Sequence, residues 1–331
     1  MNVAINGFGR IGRSVFRILE QNKSIKVIAI NDLNNQESLA YLLKYDTIMG
    51  RFKGSVKIKN NILSTDKNNV QILNEKDPEK LPWATLNVDI VIESTGVFRT
   101  NADISKHLLA GAKKVILTVP AKDKIDNTVV IGVNENTLKS TDRIISNASC
   151  TTNCLAPMAK ILDDAFGIKQ GIMNTVHAYT NDQRLADVPH LDLRRSRAAA
   201  ENIIPTSTGA AKAVGIVLPK LKGKLDGIAS RVPVPDGSVV DLFIELNQNV
   251  TINNINNAIK DASKTKQMKN ILFFSDKHIV SSDIIGNPYS SIFDSKSTKV
   301  TSKRFVRTIN WYDNEWGYSN RVVDLIMLAS K

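Results

Sequence analysis

Two cysteines stand four residues apart in Ser146-Asn147-Ala148-Ser149-Cys150-Thr151-Thr152-Asn153-Cys154-Leu155-Ala156-Pro157, and the chain has no others. A thiol can ligate a metal, pair in a disulfide, pack as a small apolar group, or attack a carbon. Zinc needs about four ligands. The four histidines, His107, His177, His190 and His278, show no paired spacing near these cysteines. The spacing also differs from the two-residue gap of redox pairs. One nucleophile with one bystander fits better. Cys150 stands where a coil meets a predicted helix, and backbone N–H groups and the helix dipole there favour a thiolate. Ser149 and Thr151 flank it with hydroxyls suited to a bound anion. Cys154 lies one turn deeper, beside Leu155 and Ala156, and reads as a buried thiol. A catalytic thiol also needs a base. The candidate is His177, which follows the predicted strand Ile172–Val176.

A second constellation opens the chain. Gly7-Phe8-Gly9-Arg10-Ile11-Gly12 is a G-x-G-x-x-G loop between a predicted strand and a predicted helix. The first glycine permits a tight turn, the second lets backbone approach a pyrophosphate, and the third lets helix pack on strand. Arg10 and Ile11 supply backbone amides at the helix N-terminus, where an anion is favoured. Asp32 ends the next strand, 20 residues after Gly12. Its carboxylate can accept hydrogen bonds from an adenosine ribose and would repel a 2′-phosphate, so NAD is expected rather than NADP.

These residues need a scaffold. In the first 150 residues, apolar runs alternate with helical spacing: Val3–Ile5, Val27–Ile30, Val88–Glu93, Lys114–Thr118 and Thr128–Ile131 read as buried parallel strands. That is the doubly wound Rossmann-type layout, an NAD-binding domain over residues 1–149. After Cys150 comes one helix containing Pro157, then the His177 strand. A charged, irregular stretch follows from Asn181 to Arg197. The runs Gly227–Pro233, Val239–Leu246 and Phe305–Trp311 predict a mixed or antiparallel α+β catalytic domain over residues 150–314. A final helix, about residues 315–331, is expected to pack back on the first domain.

With 331 residues the chain suits two domains, and 42 % hydrophobic residues is ordinary for a soluble protein. No apolar run is long enough to span a membrane, and the N-terminus lacks the pattern of a secretory signal, so a cytoplasmic protein without a membrane partner is expected. Two cysteines without such a signal agree with a reducing compartment. The net charge of +12 attracts anions, which admits nucleic acid or a phosphorylated small molecule. The lysines are dispersed, as in Lys53, Lys57, Lys59 and Lys67, so nucleic acid is not expected as the main partner.

Taken together, the chain resembles the phosphorylating glyceraldehyde-3-phosphate dehydrogenases over essentially its whole length. The resemblance is carried by Ala4–Arg13, Glu93–Phe98, Ser146–Cys154, His177–Thr180, Pro205–Lys212, Arg231–Pro233 and Trp311–Gly317. It implies that Cys150 forms a thiohemiacetal with the aldehyde and that hydride passes to NAD, leaving an acyl thioester. Inorganic phosphate then releases an acyl phosphate. His177 would serve as base and as the thiolate's ion-pair partner. Thr180 and Arg231 match the substrate-phosphate site. Ser149, Thr151, Thr208, Gly209 and Arg195 match the region of the attacking phosphate. Asn314 matches the residue that binds the nicotinamide carboxamide. Lys76, Thr95, Gly96 and Thr118 match positions near the rest of the cofactor, and Pro189 keeps the NAD-specific pattern. The resemblance further implies a homotetramer, with the stretch from Asn181 to Arg197 bordering a neighbouring subunit. No metal is implied. Two rivals stand beside this reading: erythrose-4-phosphate dehydrogenase, which differs after the histidine and in the Thr-Gly segment, and a basic nucleic-acid or surface-binding protein.

Overall fold

The computed structural model describes residues 1–330. They divide into two units, Met1–Val129 with Asn136–Ala148 and the stretch from Ser319 on, and Val130–Glu135 with Ser149–Tyr318.

The first unit contains β1 (Asn2–Asn6), α1 (Arg10–Leu19), β2 (Lys26–Asn31), α2 (Gln36–Lys44), β3 (Val56–Lys59), β4 (Ile62–Thr65), β5 (Asn69–Leu73), β6 (Ile90–Glu93), α3 (Asn101–Leu109), β7 (Lys114–Leu117), β8 (Asn127–Thr128) and β9 (Ile144–Ser146). The sheet order is β3-β4-β5-β2-β1-β6-β7-β9-β8. All neighbours from β5 to β8 are parallel; β3 and β4 pair antiparallel at the edge. Val3, Ala4, Ile5, Val91 and Ile92 are fully buried. A strand covered by helices on both faces is apolar on both, which is why these runs do not alternate. The chain leaves β1 on one side through β2 and returns on the other through β6, so the crevice for a ligand opens at the carboxyl end of β1.

One expected strand is shorter than its apolar run. Val129 still donates its amide to the Ser146 carbonyl (2.9 Å). The Val130 amide instead meets the Asn134 side chain (2.8 Å), and the chain turns there rather than extending the strand to Ile131. Strands β3 to β5 were not read from the sequence, because they are short and polar residues interrupt their apolar ones: Lys57 and Lys59 in β3, Ser64 and Thr65 in β4, and Asn69 and Gln71 in β5.

The second unit contains α4 (Cys150–Phe166), β10 (Ile168–Ala178), β11 (Ile204–Ser207), α5 (Ala210–Val217), β12 (Leu225–Val232), β13 (Ser238–Leu246), α6 (Ile252–Ser263), β14 (Leu272–Ser275), β15 (Ser291–Asp294), β16 (Lys299–Thr301) and β17 (Phe305–Tyr312). The start of α7 (Trp316–Ala329) also belongs to it. The strands form one mixed sheet, β11-β12-β10-β13-β17-β15-β14, with β16 on β17. Helix α4 buries Cys154, Leu155, Ala156, Met158 and Leu162. The division falls after Ala148, one residue before the expected boundary, because the Ser149 hydroxyl caps α4 by accepting the Thr152 amide (3.1 Å). From Ser319 on, α7 belongs to the first unit, where the Lys114 ammonium donates to the Ala329 carbonyl (3.0 Å).

Candidate active site

In the first unit the glycine loop leaves β1 at Asn6. Gly7 has φ +92°, and a Cβ there would stand 2.7 Å from the Thr95 nitrogen. A Cβ on Gly12 would stand 2.2 Å from the Gly7 carbonyl oxygen. Both contacts are closer than atoms allow, so the close approach of loop, helix and β6 requires glycine at both places. The Phe8 amide donates to Asp32 Oδ2 (2.7 Å), while the Asn34 amide and side chain donate to Oδ1 (3.0 and 2.8 Å). These bonds aim the carboxylate of Asp32 at the rim of a groove of about 860 Å³. Gly7, Gly9, Asp32, Lys76 and Thr95 line this groove. A glycine cradle at a helix N-terminus beside a fixed carboxylate fits the pyrophosphate and ribose of a dinucleotide. Gly9 is the residue before α1, whose first turn carries Arg10 and Ile11; the Arg10 side chain turns to Asp46 (2.5 Å). Gly96 bends the chain beyond Thr95 at φ +72°. Thr118 is buried and donates its hydroxyl to the Glu93 carbonyl (3.1 Å).

Beneath this groove lies a network that sequence reasoning missed. Glu93 is fully buried. It accepts from Asn6 Nδ2 (2.6 Å), the Thr95 amide (2.8 Å), the Thr95 hydroxyl (2.5 Å) and His107 Nε2 (3.0 Å). Trp83 Nε1 donates to His107 Nδ1 (3.0 Å), so the ring's proton sits on Nε2, toward Glu93. The network locks Asn6, just before the glycine loop, to Thr95 on the groove wall. His107 carries no local motif; only the fold brings it to Glu93.

Replacing Gly12 with alanine forces the loop apart. Gly12→Ala is expected to cost about 1–3 kcal/mol of stability and to weaken NAD binding about tenfold or more. Thermal unfolding and NAD titration check this; an unchanged affinity would remove Gly12 from the cradle.

In the second unit Cys150 is the first residue of α4, and its Sγ lies 3.5 Å from His177 Nε2 at the end of β10. Below them the Tyr312 hydroxyl bonds both Thr151 and Thr175 (2.8 Å each), tying α4 to β10. Burial is the largest influence on both members of the pair. It pushes the Cys150 thiol up, against the pull of Arg231 and of the amides of Thr151 and Cys150. It brings His177 down to about 3, and Arg231 adds to that. The helix start alone therefore does not yield the thiolate expected from sequence. Moving one proton across the 3.5 Å gap makes both charges together, and each then offsets the other's desolvation. His177 Nδ1 lies 2.7 Å from the Ala178 carbonyl and 2.7 Å from Arg231 Nη1. Donation to Ala178 leaves Nε2 as a base toward sulfur; acceptance from Arg231 makes Nε2 a donor. Cys154 is fully buried, its Sγ 3.6 Å from both Ser291 Oγ and the Asn310 carbonyl, and burial pushes its thiol up.

Among the expected anion-binding residues, Arg231 stands against His177, and its buried Nε has no hydrogen-bond partner. Such a donor calls for an acceptor from outside the chain. Thr180 donates its amide to Gln183 Oε1 (3.3 Å), while Gln183 Nε2 is buried without a partner, a second orphan donor absent from the sequence reading. Arg195 pairs with Asp182 and donates Nε to Thr206 (2.9 Å). Thr208 and Gly209 form the start of α5, with the Thr208 hydroxyl accepting the Ala210 amide (3.2 Å). The Ser149 hydroxyl accepts the Thr152 amide and shares a bond with the Thr152 hydroxyl (2.7 Å), and the Thr151 hydroxyl shares one with Tyr312; a hydroxyl that accepts in such a bond keeps its proton for another acceptor. Asn314 is held by a relay: the Ala178 amide donates to Ser238 Oγ (3.1 Å), and that hydroxyl donates to Asn314 Oδ1 (2.6 Å). The amide nitrogen of Asn314 is left to serve as donor.

No helix of the described residues is long and apolar enough to cross a membrane, and among them no three His, Cys, Asp or Glu side chains gather as a metal site.

Known proteins are similar to this chain over nearly its whole length. Residues 1–101 match the family described as "Glyceraldehyde 3-phosphate dehydrogenase, NAD binding domain", and residues 149–314 match its "C-terminal domain". The chain is 57 % identical to "Glyceraldehyde-3-phosphate dehydrogenase" of Streptomyces coelicolor, over 99 % of this chain and 98 % of that protein. It is 55 % identical to that of Borreliella burgdorferi, over 98 % of each chain. It is 54 % identical to "Glyceraldehyde-3-phosphate dehydrogenase 1" of Bacillus subtilis, over 100 % and 98 %.

Proposed function

The chain belongs to the glyceraldehyde 3-phosphate dehydrogenase family, and from that premise we propose that Cys150 and His177 oxidise D-glyceraldehyde 3-phosphate to 1,3-bisphosphoglycerate, with NAD and inorganic phosphate. The observation that carries this assignment is a nucleophile on the first residue of a helix with a buried imidazole 3.5 Å from its sulfur.

The sulfur of Cys150 attacks the aldehyde carbon, and the carbonyl electron pair moves to oxygen, giving a thiohemiacetal. The Cys150 amide and His177 Nε2–H stabilise that oxygen while it is negative. NAD, when bound, supplies the acceptor for the hydride. His177 Nε2 takes the hydroxyl proton as the carbon is oxidised, leaving an acyl thioester on Cys150. A phosphate oxygen then attacks the thioester carbon, the C–S bond breaks, and Cys150 leaves as thiolate, its charge balanced by the protonated His177. Arg231, with its unpaired Nε, and Thr180 hold the substrate phosphate; Ser149, Thr151, Arg195, Thr208 and Gly209 serve the attacking one. Gly7, Gly9, Arg10, Ile11, Gly12, Asp32, Lys76, Thr95, Gly96, Thr118 and Asn314 hold the cofactor.

The same reading makes the enzyme a cytoplasmic homotetramer whose first unit binds NAD and whose second carries the chemistry. Leu185, Leu191 and Leu193 are 87, 105 and 81 % exposed, and Ile172 and Ile228 lie about half exposed on one face of the β10–β12 pair. Exposed apolar side chains of this size favour subunit contacts.

The test compares NADH formation from glyceraldehyde 3-phosphate and erythrose 4-phosphate, each with NAD and phosphate. A higher kcat/KM for glyceraldehyde 3-phosphate is expected. The reverse order would give the site to the erythrose substrate.

A further inference from the structure

Two carboxyl groups meet in the interior of the second unit. Asp236 is fully buried and Asp313 is 1 % exposed. Asp313 is plainly an acceptor: Oδ1 takes the amides of Glu315 (2.9 Å) and Trp316 (2.6 Å), and Oδ2 takes the Gly286 amide (2.6 Å). Asp236 is different. Its Oδ1 accepts the Gly237 amide (2.8 Å), but its buried Oδ2 finds no donor. Ser238, two residues on, pairs with Tyr312 across β13 and β17, which brings Asp236 beside Asp313. A buried oxygen without a donor, set beside a carboxylate, is answered by a proton of its own, donated to Asp313.

The position of this pair matters. Two residues after Asp236 is Ser238, and next to Asp313 is Asn314; their side chains are joined by the 2.6 Å bond described above. The turn entering β13 and the corner leaving β17 are therefore stitched twice, once by the shared proton and once by Ser238 and Asn314. We propose that Asp236 is a positioning residue: its proton, shared with Asp313, holds the corner that sets the Asn314 amide toward the cofactor. The proposal rests on the reading that Asn314 meets the nicotinamide.

Burial first, and then the charges of Asp313 and Glu315, push Asp236 up to about 9. Burial pushes Asp313 up as well, while the Gly286, Trp316 and Glu315 amides pull it down. Asp283, in the short turn beneath Gly237, engages its carboxylate with the Val280 amide (2.8 Å). An acid held above its ordinary 3.8 contributes stability that is complete below that value and is lost as pH climbs through about 9. Above that point two buried charges face each other and the corner opens.

NAD affinity, measured by titration calorimetry without aldehyde, tests this in wild type, Asp236→Asn and Asp236→Ala. From about pH 7 to about pH 10 the wild type is expected to bind NAD about tenfold more weakly. Asp236→Asn keeps a donor to Asp313 that does not titrate; it should match wild type at neutral pH and lose less than about threefold at alkaline pH. Asp236→Ala should bind about tenfold more weakly at both values. If Asp236→Asn keeps the full alkaline loss, or Asp236→Ala binds like wild type while melting lower, the proposal is overturned and the pair only stabilises the fold. Should Asp236→Ala fail to fold, the comparison of wild type with Asp236→Asn decides alone. A wild type that binds no NAD at either pH overturns the cofactor assignment itself, and the positioning role with it.

Discussion

Cys150→Ser is expected to abolish NADH formation, by a factor of about 10⁴ or more, while NAD binds with unchanged affinity. A serine hydroxyl in this setting has no base strong enough to ionise it, and an ester would not accept phosphate as a thioester does. Cys154→Ser is the matched control. Its sulfur already lies within 3.6 Å of Ser291 Oγ and the Asn310 carbonyl, so a hydroxyl inherits polar partners. It should cost about 1–2 kcal/mol in stability and keep kcat within about threefold. Stopped turnover for Cys154→Ser with intact folding, or sustained turnover for Cys150→Ser, would reverse the roles of the two thiols. The same activity assay, paired with thermal unfolding, separates these outcomes.

The second large effect belongs to His177. Removing the imidazole takes away both the proton acceptor and the countercharge of the sulfur. His177→Asn is expected to lower kcat by about 10²–10⁴. It should also move the pH profile of Cys150 alkylation by iodoacetamide to higher pH, because burial then acts on the thiolate without its partner. An unshifted profile would mean that Arg231 and the helix start alone hold the thiolate. Stability provides an independent sign. His177 titrates at about 3 when folded against 6.5 as a free side chain, so the wild type loses stability as pH falls through that window. His177→Asn should lose less there.

What was legible in the sequence was local. Gly7, Gly12, Asp32 and Cys150 owe their placement to residues within one strand–turn–helix or one helix start, and such units carry their instructions in a short window. The doubly wound sheet was legible for the same reason, through apolar runs that a sheet covered on both faces requires. Remote partners were not legible: nothing near Thr151 announced that its hydroxyl would share a bond with Tyr312. Glu93 and His107, or Asp236 and Asp313, carry ordinary polar labels until the chain is folded; only then does burial make each indispensable to the other. The edge of the first sheet was opaque because its strands are short and polar residues interrupt their apolar ones.

The indole of Trp83 has a consequence of its own. It is fully sealed from water and hydrogen-bonded to His107. It is also the one tryptophan of the first unit, since Trp311 and Trp316 lie in the second. Emission from a dry indole lies to the blue and resists soluble quenchers, whereas partly wet ones emit to the red. The molecule thus carries a separate optical beacon for each half, and the order in which the halves melt can be read without a label.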